Sequence, residues 1–253
     1  MKNGILKVMI FGSNGRMGQE LINVADEFKN TVEILKIDRE NVTQTDDFLK
    51  QSDIVIDFSS PTGFEFLLNK LLSAPLPLIS GTTGLQNNHF ELLDKLSLKT
   101  AVLHASNFSL GINLLIYIAN LCGKVLDNSY EPEIIEIHHK NKKDAPSGTA
   151  LSIAESVLKA RNLKETSMIT SSRYTSNEAR TSDELGIQSI RGGDVVGEHT
   201  LMFLGPGERL ELSHKASERA IFARGAWKAA KWIVNKNAGR YSMKEVLNVP
   251  SEK

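Results

Sequence analysis

Between Glu136 and Ala150 the chain reads Glu-Ile-His-His-Lys-Asn-Lys-Lys-Asp-Ala-Pro-Ser-Gly-Thr-Ala, placing two imidazoles, three ammonium groups and two carboxylates within fifteen residues. Imidazole titrates near neutrality, and a lysine beside other cations loses its proton more readily than an isolated one. Such a segment can donate and accept protons at neutral pH. Ser147-Gly148-Thr149 follows where a helix should begin, and the N–H groups of a helix N-terminus attract anions by hydrogen bonding and through the helix dipole. A carboxylate held on Gly148 and Thr149 would lie beside His138, His139 and Lys142, which suits a small anionic molecule that receives both hydride and a proton. Two plainer readings compete. Adjacent strand residues face opposite ways, so at most one of His138 and His139 points into a given cleft, and a lysine run is commonly a solvated loop. No Cys or carboxylate set surrounds these histidines at a familiar ligand spacing, so no metal is expected.

A second constellation suggests where hydride would come from. Gly12-Ser13-Asn14-Gly15-Arg16-Met17-Gly18 follows an apolar strand and opens an amphipathic helix. Glycines there permit a tight turn and a close backbone approach to a pyrophosphate. The spacing G-x-x-G-x-x-G differs from the commoner G-x-G-x-x-G, and an unliganded turn is the competing reading. Asp38, about 20 residues beyond Gly18 at the end of the next strand, stands where a carboxylate would accept from the adenosine ribose. Its neighbour Arg39 suits a 2′-phosphate instead, so NADH and NADPH both remain open. Gly81-Thr82-Thr83-Gly84 and Ala105-Ser106-Asn107-Phe108-Ser109 follow later strands of the same sheet. Both loops would face the crevice at the strands' carboxyl ends, towards a nicotinamide.

The elements that must position these groups follow from periodicity. Up to Ser109, short β-branched runs alternate with longer amphipathic stretches, the pattern of βαβ units. Strands are predicted at Leu6 to Phe11, Val32 to Ile37, Ile54 to Phe58, Leu78 to Ser80 and Ala101 to His104. Met17, Leu21, Val24, Ala25 and Phe28 form one helical face. Then come a helix from Ile112 to Val125, a strand from Glu133 to His139 and a helix from Thr149 to Leu158. Arg161 to Leu185 is polar and aperiodic, an exposed connection with some structure of its own. Strands at Ile187 to Arg191, Glu198 to Leu204 and Arg209 to His214 would form an antiparallel or mixed sheet, the last two joined through Gly205-Pro206-Gly207. Phe222, Ala226, Ala229, Ala230 and Ile233 share a helical face that can return to cover the first domain. The predicted class is α/β: a Rossmann-like doubly wound parallel sheet from residues 1–109 and 219–253, plus an α+β domain with a mixed sheet from residues 110–218.

Bulk properties exclude other classes. At 253 residues and 41% hydrophobic content the chain can build real cores. Thirty basic and thirty acidic residues cancel, so no global field draws in nucleic acid or an anionic membrane. The N-terminal apolar run is too short to span a bilayer and carries no signal-peptide pattern. The single cysteine, Cys122, lies in an apolar helical stretch and is predicted to be buried, consistent with a reducing, cytoplasmic compartment. Of the other histidines, His89, His104, His199 and His214 are assigned packing or hydrogen-bonding roles.

The stretch from Glu136 through His138, His139, Lys142, Asp144 and Pro146 to Ala150 resembles the signature E-x-H-H-x-x-K-x-D-x-P-S-G-T-A of the dihydrodipicolinate reductase family. Further similarities run along nearly the whole chain: Gly12 to Gly18, Gly81-Thr82-Thr83, Asn107-Phe108-Ser109, Arg191-Gly192-Gly193-Asp194, Gly197-Glu198-His199-Thr200, and His214 through Arg219, Phe222 and Gly225. The resemblance implies reduction of 4-hydroxy-tetrahydrodipicolinate by NADH or NADPH, with loss of water, in lysine and diaminopimelate synthesis. It implies His138 as acid/base, Lys142 as proton donor, and His139, Ser147, Gly148 and Thr149 around a small dicarboxylate. Asp38 and Arg39 would handle the adenosine ribose, with Arg219 near the cofactor, and the second domain's sheet would assemble a homotetramer. Lys140 and Asn141 depart from the arginine and histidine that relatives often carry. Two alternatives stay open on the residues alone: another nicotinamide-dependent dehydrogenase of small acids, or a dinucleotide sensor, to which proton donors beside an anion site would be superfluous.

Overall fold

The computed structural model describes residues 4–28, 31–169 and 179–250. Contacts divide the chain into two units, one from Met1–Leu110 with Arg219–Lys253 and one from Gly111–Glu218.

The first unit is a six-stranded parallel sheet. Its elements are β1 (Leu6–Phe11), α1 (Arg16–Ala25), β2 (Val32–Ile37), α2 (Thr45–Gln51), β3 (Ile54–Asp57), α3 (Pro61–Ser73), β4 (Leu78–Ser80), α4 (Asn87–Ser97) and β5 (Ala101–His104). Val8, Met9 and Ile10 are consecutive and fully buried, as expected of a parallel strand covered on both faces. Their alternation feeds two cores. Val8 and Ile10 join α1 and a later helix around Trp227, whereas Met9 and Phe11 pack with Phe64, Leu67 and Leu93 of α3 and α4. The sheet order turns back on itself between β2-β1 and β3-β4-β5, so chain reversal falls between β1 and β3. In an open α/β sheet a ligand crevice forms at such a switch point, outside the carboxyl ends of the strands.

The second unit begins one residue into α5 (Leu110–Val125) and continues with β6 (Glu131–His138), α6 (Gly148–Ala160), β7 (Met168–Ile169), β8 (Leu185–Arg191), β9 (Gly197–Gly205) and β10 (Glu208–Ala216). These strands form one sheet in the order β10-β9-β6-β8-β7. It is mixed: β6 runs parallel to β8 and antiparallel to β9. Along β6 the buried face carries Pro132, Ile134, Glu136 and His138 in strict alternation. Ile134 belongs to a core formed with Ala150, Ile153, Ala154 and Val157 of α6 and Leu201 and Phe203 of β9. The chain then returns to the first unit as α7 (Ala220–Ile233), β11 (Gly239–Tyr241) and α8 (Met243–Leu247). Among these, β11 pairs beside β5 as the sheet's last strand.

Some expectations shift. The third predicted strand ends at Asp57, before Phe58, and the strand carrying the histidines ends at His138. Cys122 is only half-buried, packed at the margin of the second core. Phe222 is likewise half-buried, while Ala226, Ala229, Ala230 and Ile233 are buried as expected and Ala223 and Trp227 join them on the buried face of α7. The connection after Arg161 contributes β7 to a sheet edge, and Arg180 is clamped by Glu133 at 3.0 Å and by the Pro132 carbonyl at 3.2 Å. Positions 170–178 of that connection lie outside the described residues.

Candidate active site

In the first unit, the glycine turn after β1 is built by close backbone contact. Gly12 has φ +86°, and a Cβ there would lie 2.7 Å from the Phe58 carbonyl oxygen. A Cβ on Gly18 would lie 2.2 Å from the Gly12 oxygen, so α1 sits directly on the turn. Gly15 is the N-cap of α1 and has no capping side chain, and Asn14, Gly15 and Arg16 are exposed. Ser13 and Gly18 are buried, and Met17 packs against the core beneath. A helix start left open in this way, with no Cβ in its approach, fits a dinucleotide pyrophosphate. Asp38 is tied to the turn: its carboxylate accepts from the Asn14 N–H at 2.8 Å and the Arg39 N–H at 2.7 Å. Arg39 is exposed beside it.

The loops after β3 and β4 share a buried anchor, and Ala105 after β5 donates its N–H to the Ser80 carbonyl at 3.0 Å. The Asp57 carboxylate accepts from the Ser80 and Thr82 hydroxyls, each at 2.8 Å, and from the Ser59 hydroxyl at 2.5 Å. Burial pushes its pKa up, and these hydrogen bonds only partly offset the push. His104 Nε2 bonds the Thr82 carbonyl at 2.9 Å. Gly81 lets the loop pass the Phe58 ring, which a Cβ would meet at 2.1 Å. The Thr82 hydroxyl is therefore turned inward, while Thr83 is exposed. After β5, Phe108 is a core residue whose ring centroid lies 5.5 Å from that of Phe58, and the Ser109 N–H donates to Asn107 Oδ1 at 2.8 Å. Ala105 is half-buried and Ser106 exposed. Arg219 stands at the N-cap position of α7 without a side-chain capping bond, and Gly225 of that helix lies against the Phe108 carbonyl. Of the remaining histidines, His89 bonds the Gln86 N–H at 3.0 Å and the Pro61 carbonyl at 3.2 Å at the start of α4.

In the second unit, the alternation of β6 puts Glu136 and His138 on one face, where His138 Nδ1 lies 2.5 Å from Glu136 Oε2. Arg191, opposite His138 in the β6/β8 register, reaches both oxygens of Glu136 at 2.8 and 2.7 Å and the Asp144 carbonyl at 2.6 Å. Burial raises the Glu136 carboxyl, but hydrogen bonds from Arg191, Ser189 and His138 outweigh it and bring the pKa down to about 2. Burial lowers His138, with Glu136 opposing that shift.

Beyond the strand, His139 donates its N–H to the Val195 carbonyl at 2.7 Å, and Lys140 donates to that of Gly193 at 3.2 Å. The turn after Arg191 thus supports the lysine loop. Lys142 Nζ pairs with Asp144 at 2.8 Å. Ser147 caps α6 by accepting from the Ala150 N–H, and its hydroxyl also lies 3.0 Å from His199 Nε2. The hydroxyl oxygen has two lone pairs, so which atom donates in this contact depends on the His199 tautomer. Burial carries His199 down to about 4, which keeps the ring neutral at neutral pH. Gly148 and Thr149 open α6 next to this cap, Gly148 exposed.

Read from the sequence, Arg191 and Glu136 have no role of their own, while the hydrogen-bonding or packing role given to His199 matches its contact with Ser147, a partner not named there. The spacing of Glu136 and His138, two apart on a strand, was a legible signal; the contacts of Arg191 and His199 depend on strand pairing across 50 residues or more. Among the described residues, Glu136, His138 and His199 bring potential donor atoms within 4.8 Å of one another. Arg191 occupies both Glu136 oxygens, and a guanidinium there opposes a second cation. Hydrogen bonds tie the cluster together through Glu136 and Ser147, and the His138 and His199 rings meet edge-on with centroids 5.1 Å apart. No helix among the described residues is long and apolar enough to cross a membrane.

Residues 6–108 match the family model described as dihydrodipicolinate reductase, N-terminus, and residues 111–247 match dihydrodipicolinate reductase, C-terminus. The 4-hydroxy-tetrahydrodipicolinate reductase of Helicobacter hepaticus is 44% identical over 256 residues, covering 97% of this chain and all of the relative. Its Campylobacter jejuni counterpart is 41% identical over 246 residues with the same coverage. Among solved structures, dipicolinate-bound dihydrodipicolinate reductase from Paenisporosarcina sp. TG-14 aligns with a TM-score of 0.77 at 20% identity, covering 97% of this chain and 100% of that one. The C. glutamicum DAP dehydrogenase in complex with DAP shares the fold, with a TM-score of 0.54 at 12% identity over 98% of this chain and 97% of that one.

Proposed function

Because the chain belongs to the dihydrodipicolinate reductase family and is an NAD(P)H-dependent oxidoreductase, we propose that it reduces 4-hydroxy-tetrahydrodipicolinate to tetrahydrodipicolinate in lysine and diaminopimelate biosynthesis. NADH or NADPH, when bound, supplies the hydride. The ring gains that hydride and a proton, and its hydroxyl leaves as water. His138 serves as acid/base and Lys142 as proton donor. His139, Gly148 and Thr149 hold the substrate carboxylates, with Ser147 fixing the start of α6 behind them.

In the first unit, Gly12, Ser13, Asn14, Gly15, Arg16, Met17 and Gly18 cradle the pyrophosphate through main-chain groups. Asp38 and Arg39 meet the adenosine ribose. Gly81, Thr82 and Thr83, with Ala105, Ser106, Asn107, Phe108 and Ser109, lie towards the nicotinamide, and Arg219 completes the cofactor side. For Thr82 and Phe108, whose side chains are buried, the contact is made by the backbone. Residues 1–109 with 219–253 are thus the dinucleotide-binding domain, and 110–218 the substrate and oligomerisation domain. We place the enzyme in the cytoplasm as a homotetramer assembled through the second sheet, whose exposed Ile190 and Leu210 support such a contact.

The observation that supports this reading is that Glu136 bonds both His138 Nδ1 and the N–H of Ser147, the N-cap of α6, which brings the proposed acid/base group beside the proposed anion site. The test is oxidation of NADH and NADPH with substrate generated in situ by a coupled synthase. Wild type should turn over, whereas His138→Ala and Lys142→Ala should lose most of the rate while still binding cofactor. A wild-type protein that binds cofactor and never oxidises it would overturn the proposal.

A further inference from the structure

We propose that Glu136 and Arg191 are a positioning pair that fixes which nitrogen of His138 carries the exchangeable proton and holds the Lys142 loop beside it. The inference rests on the roles given above to His138 and Lys142, and concerns two residues to which that reading assigns none.

An ionised carboxylate can only accept hydrogen bonds. With Glu136 held ionised, the 2.5 Å contact requires a proton on His138 Nδ1, which leaves Nε2 as the nitrogen that gives and takes protons. Free imidazole does not impose this choice; the partner of the other nitrogen does. The approach to Nε2 is kept clear by Gly197, where a Cβ would lie 2.9 Å from it.

Glu136 would not stay charged unaided. It is fully buried, and an unpaired buried carboxylate is driven towards its neutral form. The Arg191 fork reverses this by binding both oxygens, a bidentate geometry that lysine cannot copy. The same guanidinium donates to the Asp144 carbonyl, and Asp144 in turn pairs with Lys142. One cation therefore fixes the imidazole through Glu136 and tethers the loop that bears the ammonium. The charged and titratable groups around His138 are Glu136 on β6, Lys142 on the loop, Arg191 on β8 and neutral His199 on β9, with Asp144 one step away on Lys142.

The pair makes an unusual forecast for Glu136→Gln. With Arg191 present, the single amide oxygen turns to the guanidinium and the amide N–H₂ faces His138. Nδ1 must then accept, and the proton moves to Nε2. Adding Arg191→Met removes the charged donor and leaves only the longer bond from the Ser147 N–H at 3.2 Å, so Nδ1–H can compete for the amide oxygen again. The measurement is the ¹⁵N spectrum of the His138 imidazole in the full-length protein, assigned with His138→Gln, alongside steady-state kinetics. Wild type should show the Nδ1–H tautomer and Glu136→Gln the Nε2–H tautomer, with kcat down by at least about a hundredfold and cofactor KM unchanged. Glu136→Gln/Arg191→Met should return to Nδ1–H and recover part of kcat, the remaining deficit reflecting the lost Asp144 tether. A merely structural role predicts the double variant to be worse than the single. Retention of Nδ1–H in Glu136→Gln, or a double variant that stays at Nε2–H, overturns the proposal. If His138→Gln itself still turns over, the assignment of His138 as acid/base fails instead, and the tautomer result stands apart from it.

Discussion

Gly18→Ala tests the reasoning about the dinucleotide turn most directly. The added methyl would lie 2.2 Å from the Gly12 oxygen and 2.6 Å from that of Ser13, whereas real Cβ atoms essentially never come within 3.0 Å of a neighbour. The obstacles are backbone atoms, so no rotamer change relieves them. The start of α1 must lift by about 0.8 Å or more in an interior that packs as densely as a crystal. Overpacking of this kind costs about 1–3 kcal/mol, a drop in melting temperature of roughly 2–12 °C for a chain of this size. Lifting the helix also withdraws its N–H groups from the pyrophosphate. Loss of one charge-assisted hydrogen bond, at about 1.5–3 kcal/mol, weakens binding by at least about tenfold. The assay is a fluorescence titration of NADH beside a thermal melt. Gly15→Ala is the comparison, since its Cβ would stand 3.2 Å from the Gly12 oxygen and should cost much less. If Gly18→Ala binds NADH as wild type does, the turn does not work by close backbone approach.

Three further outcomes are expected. Trp227→Ala should cost about 3–5 kcal/mol in urea denaturation, because Trp227 is fully buried, packs on Phe28 and donates to the Leu21 carbonyl at 2.9 Å; a loss below about 1 kcal/mol would contradict its place in the first core. Gly197→Ala should lower kcat sharply and leave NADH affinity intact, since the methyl crowds His138 Nε2 and the glycine turn lies in the other unit; unchanged kcat would refute the access argument. For Asp57, the folded pKa lies above the ordinary 3.8, so wild type loses stability relative to Asp57→Asn as pH rises above that value and the buried group must ionise. Denaturant melts from pH 4 to 7 should show the difference moving in favour of the variant, and a flat or opposite trend would reject the sign.

The parallel sheet was legible because strands buried on both faces write unbroken apolar runs: Val8 to Ile10, Ile54 to Ile56 and Ala101 to Leu103 all stand out. The edges were not. β7 has two residues, and β11, Gly239-Arg240-Tyr241, has no apolar run like that of the equally short β4, and each is recruited by a neighbouring strand. In the second unit the motif from Glu136 to Thr149 announced a site but not its wiring. Arg191 reaches Glu136 because β8 pairs with β6 in a register that places Arg191 beside His138. His199 arrives through the antiparallel pairing of β9 with the same strand. Neither register can be counted off the sequence. Cys122 was misjudged for a related reason, since an apolar helix face says which side is greasy but not where the core ends.

The connectivity of the two units bears on how the protein is made. The first unit is interrupted: its glycine turn and five strands precede residue 111, while Trp227, the wall of its larger core, and β11, its last strand, follow residue 218. During synthesis the intervening unit emerges whole, with its sheet and α6 core available to fold, before α7 has been made. The nascent sheet must wait with the face of Val8, Ile10, Ile56 and Leu103 covered by α1 but not by α7. The earlier-made part of the first unit is therefore completed only after the second unit has been synthesised.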